Sequence, residues 1–213
     1  MSPKRDARSL TIPVAGGESV LEGVFAPGAE GVDGGALIAA PHPLYGGSIE
    51  SPVVNEIAWG CGQAGLSTLC FNWRGVGAST GEPSGENADA DADYGAALLD
   101  LAGTVHGSLI ACGYSFGSAA AVRAASTQPR IERLILLAPP TALVDADVLR
   151  AFPGAALLVT GESDKWAPPA DLEALTASLP NGKLIVVPEA DHFFGTGVSQ
   201  IGRSVASWLG AES

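Results

Sequence analysis

The feature of this chain most able to do chemistry is a serine set between two glycines, Gly113-Tyr114-Ser115-Phe116-Gly117, inside "SLIACGYSFGSAAAVRAAS". An apolar run precedes it and an alanine-rich, helix-compatible stretch follows. On a sharp strand-to-helix turn such a serine takes a strained backbone, and small flanking residues let strand and helix approach while Oγ projects freely. In a merely Gly-rich loop the same pentapeptide would carry no chemistry, so the strand before and the helix after are what make it a candidate nucleophile.

A neutral serine hydroxyl is a weak nucleophile and needs a base, most often histidine. The chain has three histidines. His106 opens the apolar run that carries Ser115 at its far end, roughly 20 Å away at about 3.3 Å per residue, which excludes it as the base. His42, in "PHPLYGG", precedes the serine in a segment better suited to another task. His192, in "EADHFFG", follows the last apolar run "KLIVVP" and is the candidate. The imidazole in turn needs a carboxylate to hold its tautomer. Asp164, in "VTGESDKWAPP", follows the penultimate run; Glu162 and Asp191 compete with it, although Asp191 adjoins His192 in sequence, where its side chain points elsewhere.

These groups must be brought together by the elements around them. Short runs rich in Leu, Ile and Val ("SLTIPV", "SVLEGVF", "GALIAAP", "LSTLCFNW", "SLIACGY", "RLILLAP", "ALLVTG", "KLIVVP") predict about eight strands. From the third onward they alternate with helix-compatible stretches and are continuously apolar, the pattern of a parallel sheet covered by helices on both faces. The first two, joined by "AGGE", have no room for a crossover helix and predict an antiparallel hairpin at one edge. With 213 residues, 46% of them hydrophobic, a single domain spanning 1–213 is expected.

Charge and composition exclude several functions. A formal charge of −12 repels phosphate backbones and anionic lipid, and no run approaches the roughly 18 apolar residues that span a bilayer. A cytoplasmic protein that binds neither nucleic acid nor membrane is expected, and the basic "MSPKRDARSL" has no apolar stretch behind it to form a leader. Cys61, Cys70 and Cys112 lack CxxC spacing and read as small core residues. "GCGQAG" at 60–65 matches a dinucleotide motif, but it ends a helix, where carbonyls rather than amides are offered. Asp89, Asp91, Asp93 and Asp100 have calcium-loop spacing, but Tyr94 stands where glycine is needed, and acidic residues in a first helical turn suit the macrodipole.

The order Ser115, Asp164, His192, each after a successive parallel strand, resembles that of the α/β-hydrolases, over about Gly35 to Trp208. The chain is similar to the small, lidless, dienelactone-hydrolase-like esterases of that superfamily, with "PHPLYGGS" and "FNWRGVGAST" replacing the more usual His-Gly loop and strand-four turn. The resemblance implies an α/β-hydrolase fold without a cap domain and an oxyanion hole of two backbone N–H groups, from Phe116 and from Leu44, with Tyr45 the alternative if the loop shifts by one. Pro43 has no N–H to offer. Asn72, Arg74 and Gly75 shape the turn beside the pocket. The implied activity is cleavage of a small-molecule carboxylic ester, without metal or organic cofactor. Thioesterase, acyl-peptide or amide hydrolase, and a catalytically silent binding protein remain alternatives, and the oligomeric state is left open. Residues 140–154, the only chain between the sixth and seventh strands, suffice for one short helix, so the pocket should be open and short acyl groups preferred, with Tyr45, Trp166 and Phe193 lining it beside Leu44 and Phe194.

Overall fold

A computed structural model of the chain describes residues 7–17 and 19–211; most of the basic N-terminal stretch lies outside them. The apolar runs form one eight-stranded sheet in the order β1-β2-β4-β3-β5-β6-β7-β8. β1 (Arg8–Pro13) and β2 (Val20–Ala26) are the expected antiparallel hairpin. β2 then runs antiparallel to β4 (Ser67–Phe71), and every later pairing is parallel, through β3 (Gly35–Ala39), β5 (Leu109–Tyr114), β6 (Ile131–Leu137), β7 (Ala155–Gly161) and β8 (Asn181–Val187). Every residue of β3, β4 and β5 is buried, which is why these strands read as unbroken apolar runs.

Helices α1 (Pro52–Gln63) and α6 (Val198–Gly210) pack on each other against one face, and α2 (Asn87–Thr104) and α3 (Phe116–Ala125) cover the other. Short helix α5 (Pro169–Ala177) packs on β7 and β8, and α4 (Ala146–Ala151) meets α3. Among the described residues the β6–β7 connection holds α4 and turns and no cap domain, with Asp145 capping α4 through bonds from the amides of Asp147 and Val148. No helix among them is long and apolar enough to cross a membrane.

Several smaller sequence readings have a definite structural outcome. "GCGQAG" ends α1, and Gly65 turns the chain with φ +84° before β4 begins. The three cysteines are buried together, and burial pushes the Cys70 thiol up to about 12. The aspartates of α2 do more than suit a helix dipole. Asp89 and Asp93 grip Arg74 and Asp91 grips Arg123, so α2 is tied to the turn after β4 and to α3.

The seat of α6 bears on the loop that carries His192, which this helix follows. A Cβ added at Gly60 would stand 2.7 Å from the Gly202 carbonyl oxygen and 2.7 Å from Val205 Cβ, whereas one at Gly95 of α2 meets nothing within 4 Å. Gly60→Ala should therefore destabilise by about 1–3 kcal/mol through overpacking, and Gly95→Ala should stabilise by up to about 1 kcal/mol through helix propensity. Thermal unfolding of the two variants checks this: Gly60→Ala should melt lower and Gly95→Ala slightly higher than the parent protein.

Candidate active site

The carboxyl ends of β5, β7 and β8 bring the three chemical groups of the sequence to one place. Ser115 follows β5 with φ 54° and ψ −117°, a region that an L-residue enters only when its surroundings enforce it. The enforcement is local. A Cβ at Gly113 would lie 2.1 Å from the Gly117 carbonyl carbon, and one at Gly117 would lie 2.7 Å from the carbonyl oxygens of both Ala39 and Ala40. Strand, helix and the end of β3 thus meet in van der Waals contact at two glycines. Ser118 Oγ ties the turn down by donating to Gly113 O at 2.8 Å, and the Ser115 N–H donates to Leu137 O at 2.8 Å.

Ser115 Oγ lies 2.9 Å from His192 Nε2, and His192 Nδ1 lies 2.8 Å from Asp164 Oδ2. Asp164 is buried, and its Oδ1 accepts the N–H groups of Trp166 at 2.9 Å and Ala167 at 2.8 Å. Burial alone would raise its pKa; the bond from His192 and those two backbone amides outweigh it and hold the carboxyl below the ordinary value. An ionised carboxylate can only accept, so Nδ1 carries the imidazole proton and Nε2 presents its lone pair to the serine hydroxyl. The other two carboxylates face elsewhere. Glu162 Oε2 accepts the Glu189 N–H at 2.8 Å, Asp191 Oδ1 accepts the Phe193 N–H at 3.0 Å, and both residues are exposed. His106 sits before β5, at the opposite end of the sheet from Ser115.

The loop after β3 departs from the sequence expectation. Pro43–Tyr45 forms a 3₁₀ turn, which directs the Leu44 N–H onto His42 Nδ1 at 3.2 Å and the Tyr45 N–H onto His42 O at 3.1 Å. Both amides considered for the oxyanion are therefore engaged inside the turn. The His42 N–H has no hydrogen-bond partner among the described residues, nor does that of Phe116, and the two rings lie against each other tilted by 48°, with centroids 4.6 Å apart. Accepting the Leu44 N–H leaves the His42 imidazole its Nε2–H tautomer, and burial lowers its pKa.

Two supporting residues were not singled out from sequence. Trp73, fully buried in the turn after β4, shares its indole N–H between Ala40 O at 2.9 Å and Pro41 O at 3.1 Å, and meets Phe116 edge-on at 5.4 Å. It thereby orients the peptide whose N–H belongs to His42. Tyr114 donates its hydroxyl to His192 O at 2.9 Å, fastening the His192 loop to β5; burial first, then the charges of Asp164 and Asp191, push its pKa up. The available signal was chemical: a buried indole or phenol needs a partner for its polar hydrogen. The expected turn residues are structural. Asn72 Oδ1 accepts the Ile49 N–H at 2.9 Å, Asp93 Oδ2 accepts the Arg74 N–H at 2.9 Å, and Gly75 has φ +70°. Around the mouth, Leu44, Tyr45, Trp166 and Phe193 are exposed, whereas Phe194 is buried against Tyr114.

Comparison with known proteins agrees with this architecture. An alpha-beta serine hydrolase homologue from Coxiella burnetii is 25% identical, with a TM-score of 0.83 over 95% of this chain and 97% of that one. A putative alpha/beta hydrolase from Agrobacterium tumefaciens is 27% identical, with a TM-score of 0.83 over 97% of this chain and 96% of that one. The fold is also that of a serine hydrolase without lid from Xanthomonas campestris, at 23% identity, a TM-score of 0.83 and coverage of 97% and 95%. An uncharacterized protein of Rickettsia prowazekii is 28% identical over 208 residues, 91% of this chain and 86% of its relative. A family model described as the alpha/beta hydrolase fold matches residues 45–155, more than half of the sequence, and with the sheet order and the strand-to-helix turn at Ser115 it assigns the chain to the alpha/beta hydrolase fold family.

Proposed function

We propose that this protein is a serine hydrolase that cleaves carboxylic esters through an acyl-enzyme on Ser115. The observation that carries the reading is the unbroken hydrogen-bonded line from Ser115 Oγ through His192 to Asp164, at 2.9 and 2.8 Å. In this mechanism Oγ attacks the acyl carbon while its proton passes to His192 Nε2, and Asp164 stabilises the resulting imidazolium. The carbonyl oxygen becomes an oxyanion held by the N–H groups of Phe116 and of His42, the latter in place of Leu44, whose amide is spent on the His42 ring. Collapse breaks the bond to the alcohol oxygen, which leaves with the proton from Nε2. Water then repeats the sequence on the acyl-serine, giving its proton to Nε2 and releasing the acid.

The chain is read as one domain spanning 1–213 that acts in the cytoplasm on a small-molecule ester, independently of nucleic acid, membrane, metal or organic cofactor; the charge of −12 supports the preference against anionic partners. Thioesters and amides would use the same groups, and turnover of a matched ester, thioester and amide ranks the three. Labelling of Ser115 by a fluorophosphonate tests the reading directly, and an unlabelled Ser115 in folded protein would return it to a silent binder.

Ser115→Ala and His192→Ala should each lower ester kcat/KM by at least about a thousandfold, with Asp164→Asn nearly as severe and Asp191→Asn and His106→Ala close to the parent enzyme. If Asp191→Asn proves the damaging change, the carboxylate role passes to Asp191.

Trp73→Phe keeps the ring packing and removes the indole N–H. It should lower kcat about tenfold with KM little changed, because a misaligned oxyanion amide is felt in the transition state; removing such a donor outright costs about a hundredfold or more. A change confined to KM, or none, would detach Trp73 from the oxyanion loop.

The open site should favour acyl groups of roughly two to six carbons, since each further methylene contributes about 0.8 kcal/mol only when it is buried. Measured across p-nitrophenyl esters, kcat/KM should level off early. A rise continuing to twelve carbons or more would reveal an enclosed tunnel.

A further inference from the structure

Exposed aromatic rings are not spread evenly over this molecule. Four aromatic side chains are prominently exposed among the described residues, Tyr45, Trp59, Trp166 and Phe193, and three of them sit on loops bordering Ser115 and His192. Two of those three are grouped around the imidazole itself. The Trp166 ring centroid is 5.0 Å from that of His192 at 58°, Phe193 is 5.6 Å from it at 90°, and Trp166 and Phe193 are 5.8 Å apart at 74°. The rings thus form an inclined corner that opens to solvent beside the base.

Their backbones are pinned. The Trp166 N–H donates to Asp164 Oδ1 at 2.9 Å and its carbonyl accepts the Thr141 N–H at 3.1 Å, while the Phe193 N–H donates to Asp191 Oδ1 at 3.0 Å. Leaving two large rings in water forgoes their burial, and a corner held ready in this way suits a ligand ring that stacks on one wall and meets the other edge-on.

The chemistry says which part of the substrate reaches this corner. In the hydrolase reading, on which this step rests, His192 Nε2 returns its proton to the alcohol oxygen as the ester bond breaks. The alcohol portion therefore passes within hydrogen-bond reach of the imidazole, whose ring Trp166 and Phe193 border. We infer that the preferred substrates are esters of arylalkyl alcohols, with the aryl ring of the leaving group seated against Trp166 and Phe193. Aromatic pairing is a preference for the ring's charge distribution and not for its apolar area; a saturated ring of the same size presents more apolar area, so burial alone would favour the saturated ring.

The test compares 2-phenylethyl acetate with 2-cyclohexylethyl acetate, which share the acyl group and have alcohols of similar basicity. A control pair, methyl 3-phenylpropanoate and methyl 3-cyclohexylpropanoate, puts the rings on the acyl side. The phenyl alcohol ester should have the higher kcat/KM by about threefold to tenfold. Trp166→Leu should erase that ratio, and the acyl pair should show no phenyl preference. Equal or faster cleavage of the cyclohexyl acetate overturns the inference, as does a phenyl preference confined to the acyl pair or one that survives Trp166→Leu. Turnover of p-nitrophenyl acetate without turnover of either alcohol ester also overturns it, while the hydrolase reading stands. Loss of all ester turnover together with loss of fluorophosphonate labelling would instead remove the hydrolase reading, so the two failures are distinguishable.

Discussion

The contact on which the rest of the site depends is the one between backbones at Gly113 and Gly117. A methyl group at Gly113 would stand 2.1 Å from the Gly117 carbonyl carbon, and one at Gly117 would press on the carbonyls that end β3. Only because neither residue has a side chain can β5 turn directly into α3, with Ser115 held at φ 54° and the Phe116 amide at the start of the helix. The strain in that one residue is offset by the sheet beneath it, whose central strands are buried along their whole length.

From that contact two tethers extend to the partners of the serine. Tyr114, one residue before it, holds the backbone carbonyl of His192 and so couples the position of the imidazole to the strand that carries Ser115. Trp73 holds the carbonyls of Ala40 and Pro41 and so couples the loop after β3 to the turn after β4. That turn is itself anchored by Arg74, whose backbone amide and guanidinium both reach the buried Asp93 of α2. Taking a carboxylate out of water is costly unless it is paired and hydrogen-bonded, and Asp93 is both. The loops of the site are thus set by polar groups buried just below them, while their outward faces carry the exposed rings.

Much of this was legible from the chain alone. Eight apolar runs, the hairpin at one edge and the alternation of strand with helix follow from periodicity, because a parallel sheet with both faces covered leaves no solvent side to interrupt the apolar pattern. Ser115, Asp164 and His192 stood out as the serine, carboxylate and histidine placed just beyond the carboxyl ends of strands, and parallel strands with crossover helices bring those ends to one edge. The fold family was readable in their order. The aspartates of α2 were legible as acidic but not as partners of Arg74 and Arg123, which lie on other elements.

What the sequence determined by itself, then, is which strands form, which edge they share and which side chains arrive there, since these depend on apolar period and residue type. Tertiary structure decided which of several nearby groups is engaged with which. Asp164 reaches His192 while Glu162 binds the Glu189 amide of the loop after β8 and Asp191 caps its own loop, and the 3₁₀ turn at Pro43–Tyr45 turns the Leu44 amide onto His42 and leaves the His42 amide without a partner among the described residues. The reason is physical: a hydrogen bond depends on positions good to a few tenths of an ångström and on the direction of each N–H. Those are set by loops whose shape comes from packing against distant elements, as with Trp73 on Ala40 and Pro41, and not by any local periodicity.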